Sequence, residues 1–149
     1  MARTTSDIVI GAPANEIMTV IADFASYPSW ATGVQDADVL DVDAEGRAAK
    51  VQFVLDAAPI RDQYTLEYLW DGDRNVSWSL EEPGAILTSM DGAYVLEDIG
   101  GNETRVTYKL AVDVSIPLLG MLKRKAEKVI IDTALKGLKS WVESDKTGG

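Results

Sequence analysis

Two carboxylates are the first candidates for chemistry in this sequence. The 149 residues include no histidine and no cysteine, so acid–base catalysis would fall to carboxylates or phenols whose pKa burial moves towards neutrality. Asp62 and Glu82 occupy positions whose side chains point inward in the alternation of their predicted strands. Both lie near strand ends, where a solvated carboxylate at the rim of a core is the ordinary case. We therefore expect both to be solvated carboxylates at the rim and keep them as weak catalytic candidates.

Large side chains at alternating strand positions form a second group. They are mostly aromatic and share the face that the alternation turns inward. The residues predicted to line a ligand pocket are Trp30, Phe53, Tyr64, Tyr68, Trp78, Met90, Tyr94 and Tyr108, with Leu122, Val129 and Thr133 from a C-terminal helix. For any one of them an ordinary dry core is the simpler interpretation. Four tyrosines on inner faces nevertheless favour a wet or liganded interior, because a buried hydroxyl without a partner costs about 1–3 kcal/mol.

One acidic segment imitates a metal loop. Asp41–Gly46 alternates acidic residues before a glycine, as the start of a calcium-binding loop does. The twelfth position counted from Asp41 is Gln52, which cannot supply the bidentate carboxylate that such a loop needs. A hairpin turn is the favoured interpretation. We expect neither a metal nor a cofactor.

Net charge limits the partners of the chain. A formal charge of −10 and a pI near 4.4 disfavour nucleic acid, which needs a concentrated basic surface. Basic residues concentrate at Lys123–Lys128. We therefore expect the segment Leu118–Lys128 to make at most a weak contact with an anionic membrane surface. No apolar run approaches the ~20 residues that a transmembrane helix needs, and no secretory signal is visible. A cytoplasmic location and a monomer or weak homodimer are expected.

A long amphipathic stretch must position part of the predicted pocket. From about Pro117 to Glu143, polar residues recur every three or four positions and form one narrow stripe on a helix of roughly 40 Å. The rest is apolar, so the helix is predicted to be enclosed on most sides. Small residues occupy the middle of the apolar face: Ala126, Thr133, Ala134 and Gly137. They favour either a close approach of the helix to a sheet or a cavity beneath the helix.

In most of the chain before this helix, apolar and polar residues alternate with a period of two. A strand at about 5–10 precedes two short helices within about 14–31, and six strands follow between about 34 and 114. Their hairpin-length connections require antiparallel pairing. A single α+β domain over residues 1–149 is predicted, in which a curved seven-stranded antiparallel sheet surrounds the long helix at about 117–143. An entrance to the interior is expected near Asp56–Ile60, Glu81–Ala85 and Pro117–Gly120.

Several motifs in this order resemble the START-like superfamily, which includes the birch-pollen allergen fold, and within it the polyketide cyclase/dehydrase and lipid-transport group. The most specific are Ile10–Ile17, leading into Ala22–Trp30, with support from Asp91–Tyr94 and Glu103–Tyr108. The chain looks especially similar to small stand-alone actinobacterial members. The resemblance implies the helix-grip fold, with a hydrophobic cavity between the sheet and the long helix. It also implies that related cyclases bind a polyketide in this cavity, but none of their specific residues can be assigned here.

The resemblance and the inward aromatic residues together predict a protein that binds a hydrophobic or amphipathic small molecule. A lipid, fatty acid, isoprenoid or polyketide would fit, and transport would be an extension of binding. The alternative is a polyketide cyclase or dehydratase, which a carboxylate or arginine pointing into the cavity would favour. A second alternative is a non-catalytic interaction module with a vestigial cavity, which would show a filled interior and an exposed apolar patch around Ile131, Leu135 and Val142.

Overall fold

The computed structural model describes residues 4–31, 34–57, 60–82, 86–115 and 120–148. One strand, two short helices, six further strands and a long helix follow one another, as the sequence predicts. In chain order the elements are β1 (Thr4–Ile10), α1 (Ala14–Ala22), a 3₁₀ turn (Phe24–Ser26), α2 (Tyr27–Trp30), β2 (Val34–Val42), β3 (Ala48–Ala57), β4 (Ile60–Asp71), β5 (Asn75–Glu82), β6 (Leu87–Gly100), β7 (Glu103–Val114) and α3 (Gly120–Gly148).

The strands of the described chain form one antiparallel sheet in the spatial order β1-β7-β6-β5-β4-β3-β2. From β2 to β7 each strand pairs with its neighbour in the chain, and β7 then pairs with β1. This order places the first and last strands side by side, beneath the C-terminal helix. The predicted helix-grip fold is confirmed, including the two short helices between β1 and β2.

The long helix differs from its prediction at the C-terminal end. We expected it to end near Glu143, but it continues to Gly148. The intervening residues include neither proline nor glycine, so the sequence has no stop signal before Gly148. The predicted start at Pro117 lies outside the described residues, and the described helix begins at Gly120.

Helix α3 packs mainly against β1 and β7 and also touches α1 and α2. Its deepest side chains recur every three or four residues: Glu127, Ile131, Leu135, Leu138 and Val142. This face is narrower than predicted, since Val129 is 51% exposed. Ile131, Leu135 and Val142 are core residues, so the described surface lacks the apolar patch that an interaction module would present there.

The carboxylate of Glu127 lies at the centre of this interface, and the residue is only 3% exposed. One oxygen accepts a hydrogen bond from the Thr4 hydroxyl on β1, and the other accepts from the Val112 N–H on β7 at 2.8 Å. The last described pair between β1 and β7 joins Thr4 to Leu110. Glu127 therefore takes the place of a strand partner for Val112 and holds α3 against the sheet edge.

Gly137 forms a second close contact, between α3 and the end of α2. A Cβ atom added to Gly137 would lie 1.9 Å from the carbonyl oxygen of Trp30. No side chain fits in that space, so only glycine lets the two backbones come this close. The close approach predicted from the small residues of this helix is therefore real at Gly137, although it is made to α2 rather than to the sheet.

Gly137→Ala is expected to lower the free energy of unfolding by about 1–3 kcal/mol, because the new methyl group overlaps the Trp30 backbone. At an unhindered helix position the same change would raise stability by about 1 kcal/mol. Urea denaturation followed by circular dichroism measures the difference, with Ser140→Ala at an exposed position of α3 as the matched control. A Gly137→Ala protein as stable as the unmodified one would contradict the close approach.

Glu127→Leu should lower the free energy of unfolding by about 1–3 kcal/mol, because it leaves the buried Val112 N–H without an acceptor. Glu127→Gln keeps an acceptor oxygen and should be clearly less destabilised. The same urea denaturation compares the two variants. Equal losses would mean that the charge of Glu127, rather than its hydrogen bond to Val112, attaches α3 to the sheet.

Candidate functional site

A cavity of about 80 Å³ lies between the inner face of the sheet, α2 and α3. Every described residue on its wall is uncharged, and half of them are aromatic. The wall consists of Tyr27, Ala31, Val34, Phe53, Leu55, Tyr64, Leu66, Tyr68, Trp78, Met90, Tyr94, Tyr108, Ile130 and Ala134. The chemistry of the wall therefore suits an apolar molecule with few polar groups.

The cavity is narrow for an internal ligand site. Its 80 Å³ is well below the roughly 300–1,000 Å³ that ligand pockets usually enclose. Aromatic side chains fill much of the remaining space, with contacting rings 4.6 to 6.4 Å apart between centroids. A ligand of more than a few atoms needs some of these side chains to move.

The strand residues predicted for the pocket lie on the cavity wall. They are Phe53, Tyr64, Tyr68, Trp78, Met90, Tyr94 and Tyr108. Strand alternation alone located them, because successive side chains of a strand point to opposite faces of the sheet. Their contact with a ligand stays a prediction. The side chain of Leu122, predicted on the helix side, lies outside the described residues.

The helix side of the cavity is formed by Ile130 and Ala134 rather than by the predicted Val129 and Thr133. Val129 faces solvent, and Thr133 is half-buried outside the cavity wall. Both lie two residues from Ile131, at the centre of the buried face, and a helix turns such positions about 160° away from that centre. The predicted places of Val129 and Thr133 on the wall are wrong.

Trp30 stands behind the cavity wall rather than on it. Its ring lies 4.7 Å from that of Tyr27, and its indole N–H donates to the Ser26 hydroxyl at 3.3 Å. Tyr27 is the aromatic wall residue that sequence reasoning missed, because Pro28 after it indicates a helix boundary rather than a core face. The spacing of three between Phe24, Tyr27 and Trp30 was the available signal for a shared inward face.

Trp78 lies flat against the backbone of β6. It pairs across the strands with Gly92, and a Cβ atom added there would lie 2.4 Å from the indole ring. The missing side chain of Gly92 lets the indole lie along the sheet instead of projecting towards α3. Gly92 thereby preserves the remaining space of the cavity.

The phenol groups provide the polar atoms of the cavity. The Tyr27 hydroxyl donates to the Ile21 carbonyl oxygen. The hydroxyls of the other four tyrosines make no hydrogen bond within the described part of the chain: Tyr64, Tyr68, Tyr94 and Tyr108. A water molecule can reach each of these four oxygens, although each residue is at most 8% exposed. All four belong to residues that line the cavity.

These four phenols stay protonated at physiological pH. Burial is the largest cause that raises the pKa of each of them. The nearby phenol of Tyr108 raises the pKa of Tyr64 and Tyr94 further. Each hydroxyl is consequently a neutral hydrogen-bond donor.

Asp62 has the inward parity that the sequence predicts, but it is not on the cavity wall. Its Oδ2 accepts hydrogen bonds from the N–H groups of Ile86 and Leu87, at 2.9 and 2.8 Å, and its Oδ1 accepts from the Gln63 N–H at 2.9 Å. The carboxylate thus ties the start of β6 to β4. These contacts favour a structural role for Asp62, which was expected to be a solvated carboxylate, over a catalytic one.

Glu82 points to the outer face of the sheet. Leu66 pairs with Leu80, but the adjacent Thr65 pairs with Glu82, so Glu81 is an extra residue in β5. Such a β-bulge reverses the alternation that follows it. Glu82 therefore shares the outer face with Thr65 and is exposed, and its predicted inward parity is wrong.

The acidic segment that resembles a calcium loop is a hairpin turn. Asp43 Oδ1 accepts hydrogen bonds from the N–H groups of Glu45 and Arg47, at 2.9 and 3.0 Å. The carboxylate oxygen is thus used within the turn. Across the described residues, no group of three or more potential metal ligands comes together.

The predicted basic surface is described in part. Arg124, Lys125 and Lys128 are exposed on α3, while Leu118 lies outside the described residues. Lys128 forms an ion pair with Asp132 at 3.0 Å. Contact of this surface with a membrane stays a prediction. Within the described chain, no helix has the length and apolar character needed to cross a bilayer.

Known proteins resemble the chain in fold and family. A START superfamily protein from Mycobacterium smegmatis superposes with a TM-score of 0.89 at 18% identity, over 97% of this chain and 99% of that one. The Zhui aromatase/cyclase from a Streptomyces species gives 0.79 at 15% identity, over 95% and 93%. A protein from Thermus thermophilus gives 0.79 at 21% identity, over 96% and 98%. At these identities the superpositions show a shared fold.

A comparison with curated proteins finds no match. The family described as polyketide cyclase / dehydrase and lipid transport matches residues 10–139, which is most of the chain. The match runs from the end of β1 into the C-terminal half of α3, and so includes every element that forms the cavity wall. The chain belongs to the polyketide cyclase/dehydrase and lipid-transport family.

Proposed function

We propose that the protein binds a hydrophobic or amphipathic small molecule in the cavity between α3 and the sheet. The observation that carries this proposal is the wall itself, which is uncharged, half aromatic and continuous from α2 across the sheet to α3. Burial of apolar ligand surface would supply about 25 cal/mol per Å². Transport is an extension of the same proposal, with a lipid, fatty acid, isoprenoid or polyketide as the cargo.

Binding requires the interior to widen beyond its present 80 Å³. Glu127 attaches α3 to the sheet edge, and Gly137 lies directly against the α2 backbone. Rotation of the aromatic side chains is therefore a smaller change than displacement of the helix. Rings that lose contact with one another regain contact with an apolar ligand, which keeps the net cost of opening low.

Encapsulation without chemical change is better supported than a cyclase. Cyclisation or dehydration needs a group that moves protons, and the described wall contains no carboxylate. Its phenols have raised pKa values, which makes them weak acids. Asp62 is occupied by backbone N–H groups, and Glu82 lies on the outer face.

Titration with N-phenyl-1-naphthylamine, a neutral probe that fluoresces in apolar surroundings, tests the proposal. The unmodified protein should bind it saturably at one site. Ala134→Leu places a larger side chain in the cavity and should weaken binding by about tenfold or more. Thr133→Leu is the matched control, because it enlarges the neighbouring residue outside the wall and should leave the affinity unchanged.

Failure of the unmodified protein to bind the probe saturably would overturn the proposal. Equal affinity of the unmodified protein and Ala134→Leu would also overturn it, since the probe would then occupy another part of the surface. Native mass spectrometry of protein purified from its own host would next identify a retained ligand.

A further inference from the structure

We propose that four phenols on the cavity wall, which make no hydrogen bond within the described part of the chain, select the ligand by its charge. The cavity accepts an uncharged molecule that presents carbonyl or similar oxygens to the phenols, and it rejects a molecule of the same shape that ends in a carboxylate. This inference rests on the proposed function and makes it more specific. The four residues, called here the phenol group, are Tyr64, Tyr68, Tyr94 and Tyr108.

Within the described residues, the members of the phenol group are hydrogen-bond donors without acceptors. Besides tyrosine, the described wall carries only hydrocarbon side chains, one indole and one thioether. The one other phenol, that of Tyr27, already donates to the Ile21 carbonyl. A pure hydrocarbon ligand would displace any water from these hydroxyls and leave them unsatisfied. A ligand with acceptor oxygens would satisfy them.

The members of the phenol group share one part of the cavity. Tyr94 and Tyr108 are cross-strand partners whose rings lie 4.6 Å apart. Trp78 lies 5.4 to 5.7 Å from the rings of Tyr68, Tyr94 and Tyr108. The phenol of Tyr108 also raises the pKa of Tyr64 and Tyr68, which places these oxygens within electrostatic reach of one another. One ligand can therefore contact several of these hydroxyls.

Charge selection follows from what the wall lacks. None of its described residues is a lysine or arginine, and the whole chain has a net charge of −10. A carboxylate entering the cavity would lose its hydration without gaining a counter-ion, which strongly disfavours its transfer. Hydrogen bonds from neutral phenols offset only part of this cost. Free fatty acids would thus bind more weakly than neutral ketones, esters or quinone-like molecules.

Three naphthalene derivatives of nearly the same shape separate the effect of an acceptor oxygen from the effect of ligand charge. They are 2-acetylnaphthalene, 2-naphthoate and 2-ethylnaphthalene, which carry a neutral acceptor, an ionised acceptor and no acceptor. Each competes with N-phenyl-1-naphthylamine at neutral pH. The acetyl compound should bind about tenfold more tightly than either of the others.

A variant then assigns the selectivity to the phenol group. Combining Tyr94→Phe with Tyr108→Phe should remove most of the advantage of 2-acetylnaphthalene over 2-ethylnaphthalene, while 2-ethylnaphthalene binds at least as well as before. Thr133→Val is the control, because it removes a hydroxyl outside the wall and should preserve the advantage. The unmodified protein with the three probes decides the question even where the double variant folds poorly.

Equal binding of 2-naphthoate and 2-acetylnaphthalene would overturn charge selection. Equal binding of 2-acetylnaphthalene and 2-ethylnaphthalene would show that the phenols do not donate to the ligand, and would overturn the inference as well. In both cases displacement of the fluorescent probe would still uphold the proposed function. If the fluorescent probe itself does not bind, the proposed function fails and this inference fails with it.

Discussion

The packing of α3 against one side of the sheet is the constraint that determines the shape of the interior. The helix packs along β1 and β7, where the carboxylate of Glu127 replaces a strand partner, and it meets α2 at Gly137. The sheet continues from β6 to β2 beyond the strands that contact α3. The inner face of these further strands must therefore be covered by side chains rather than by the helix. Large aromatic residues provide that cover and leave a cavity of about 80 Å³.

The same packing explains why the cavity is apolar and yet contains hydroxyls. Tyrosine provides the area of phenylalanine together with one polar atom, and a sheet interior offers that atom no free backbone partner. Tyr27 finds a carbonyl because it lies on a short helix beside Ile21. Tyr94 and Tyr108 lie in mid-strand on the cavity wall, and their hydroxyls make no hydrogen bond within the described part of the chain. Hydroxyls of this kind are the few polar groups that give an apolar pocket its specificity.

Sequence reasoning was accurate where a local period decided the geometry and failed where a local irregularity changed it. Alternation correctly assigned Tyr64 and Tyr68 to the inner face of β4. The same rule misplaced Glu82, because the bulge at Glu81 depends on how β5 pairs with β4. Nothing in the residues of β5 alone announces that extra residue, since a bulge is a property of two strands.

The amino-acid sequence by itself determined the order of the elements, the inner face of each regular strand and the existence of a long amphipathic helix, because each follows from interactions between near neighbours. Only the tertiary structure decided how far α3 is rotated, and so whether Val129 or Ile130 faces the interior. It also decided that the cavity is narrow. Both depend on contacts between residues far apart in the chain, where a shift of a few ångströms changes which side chains meet.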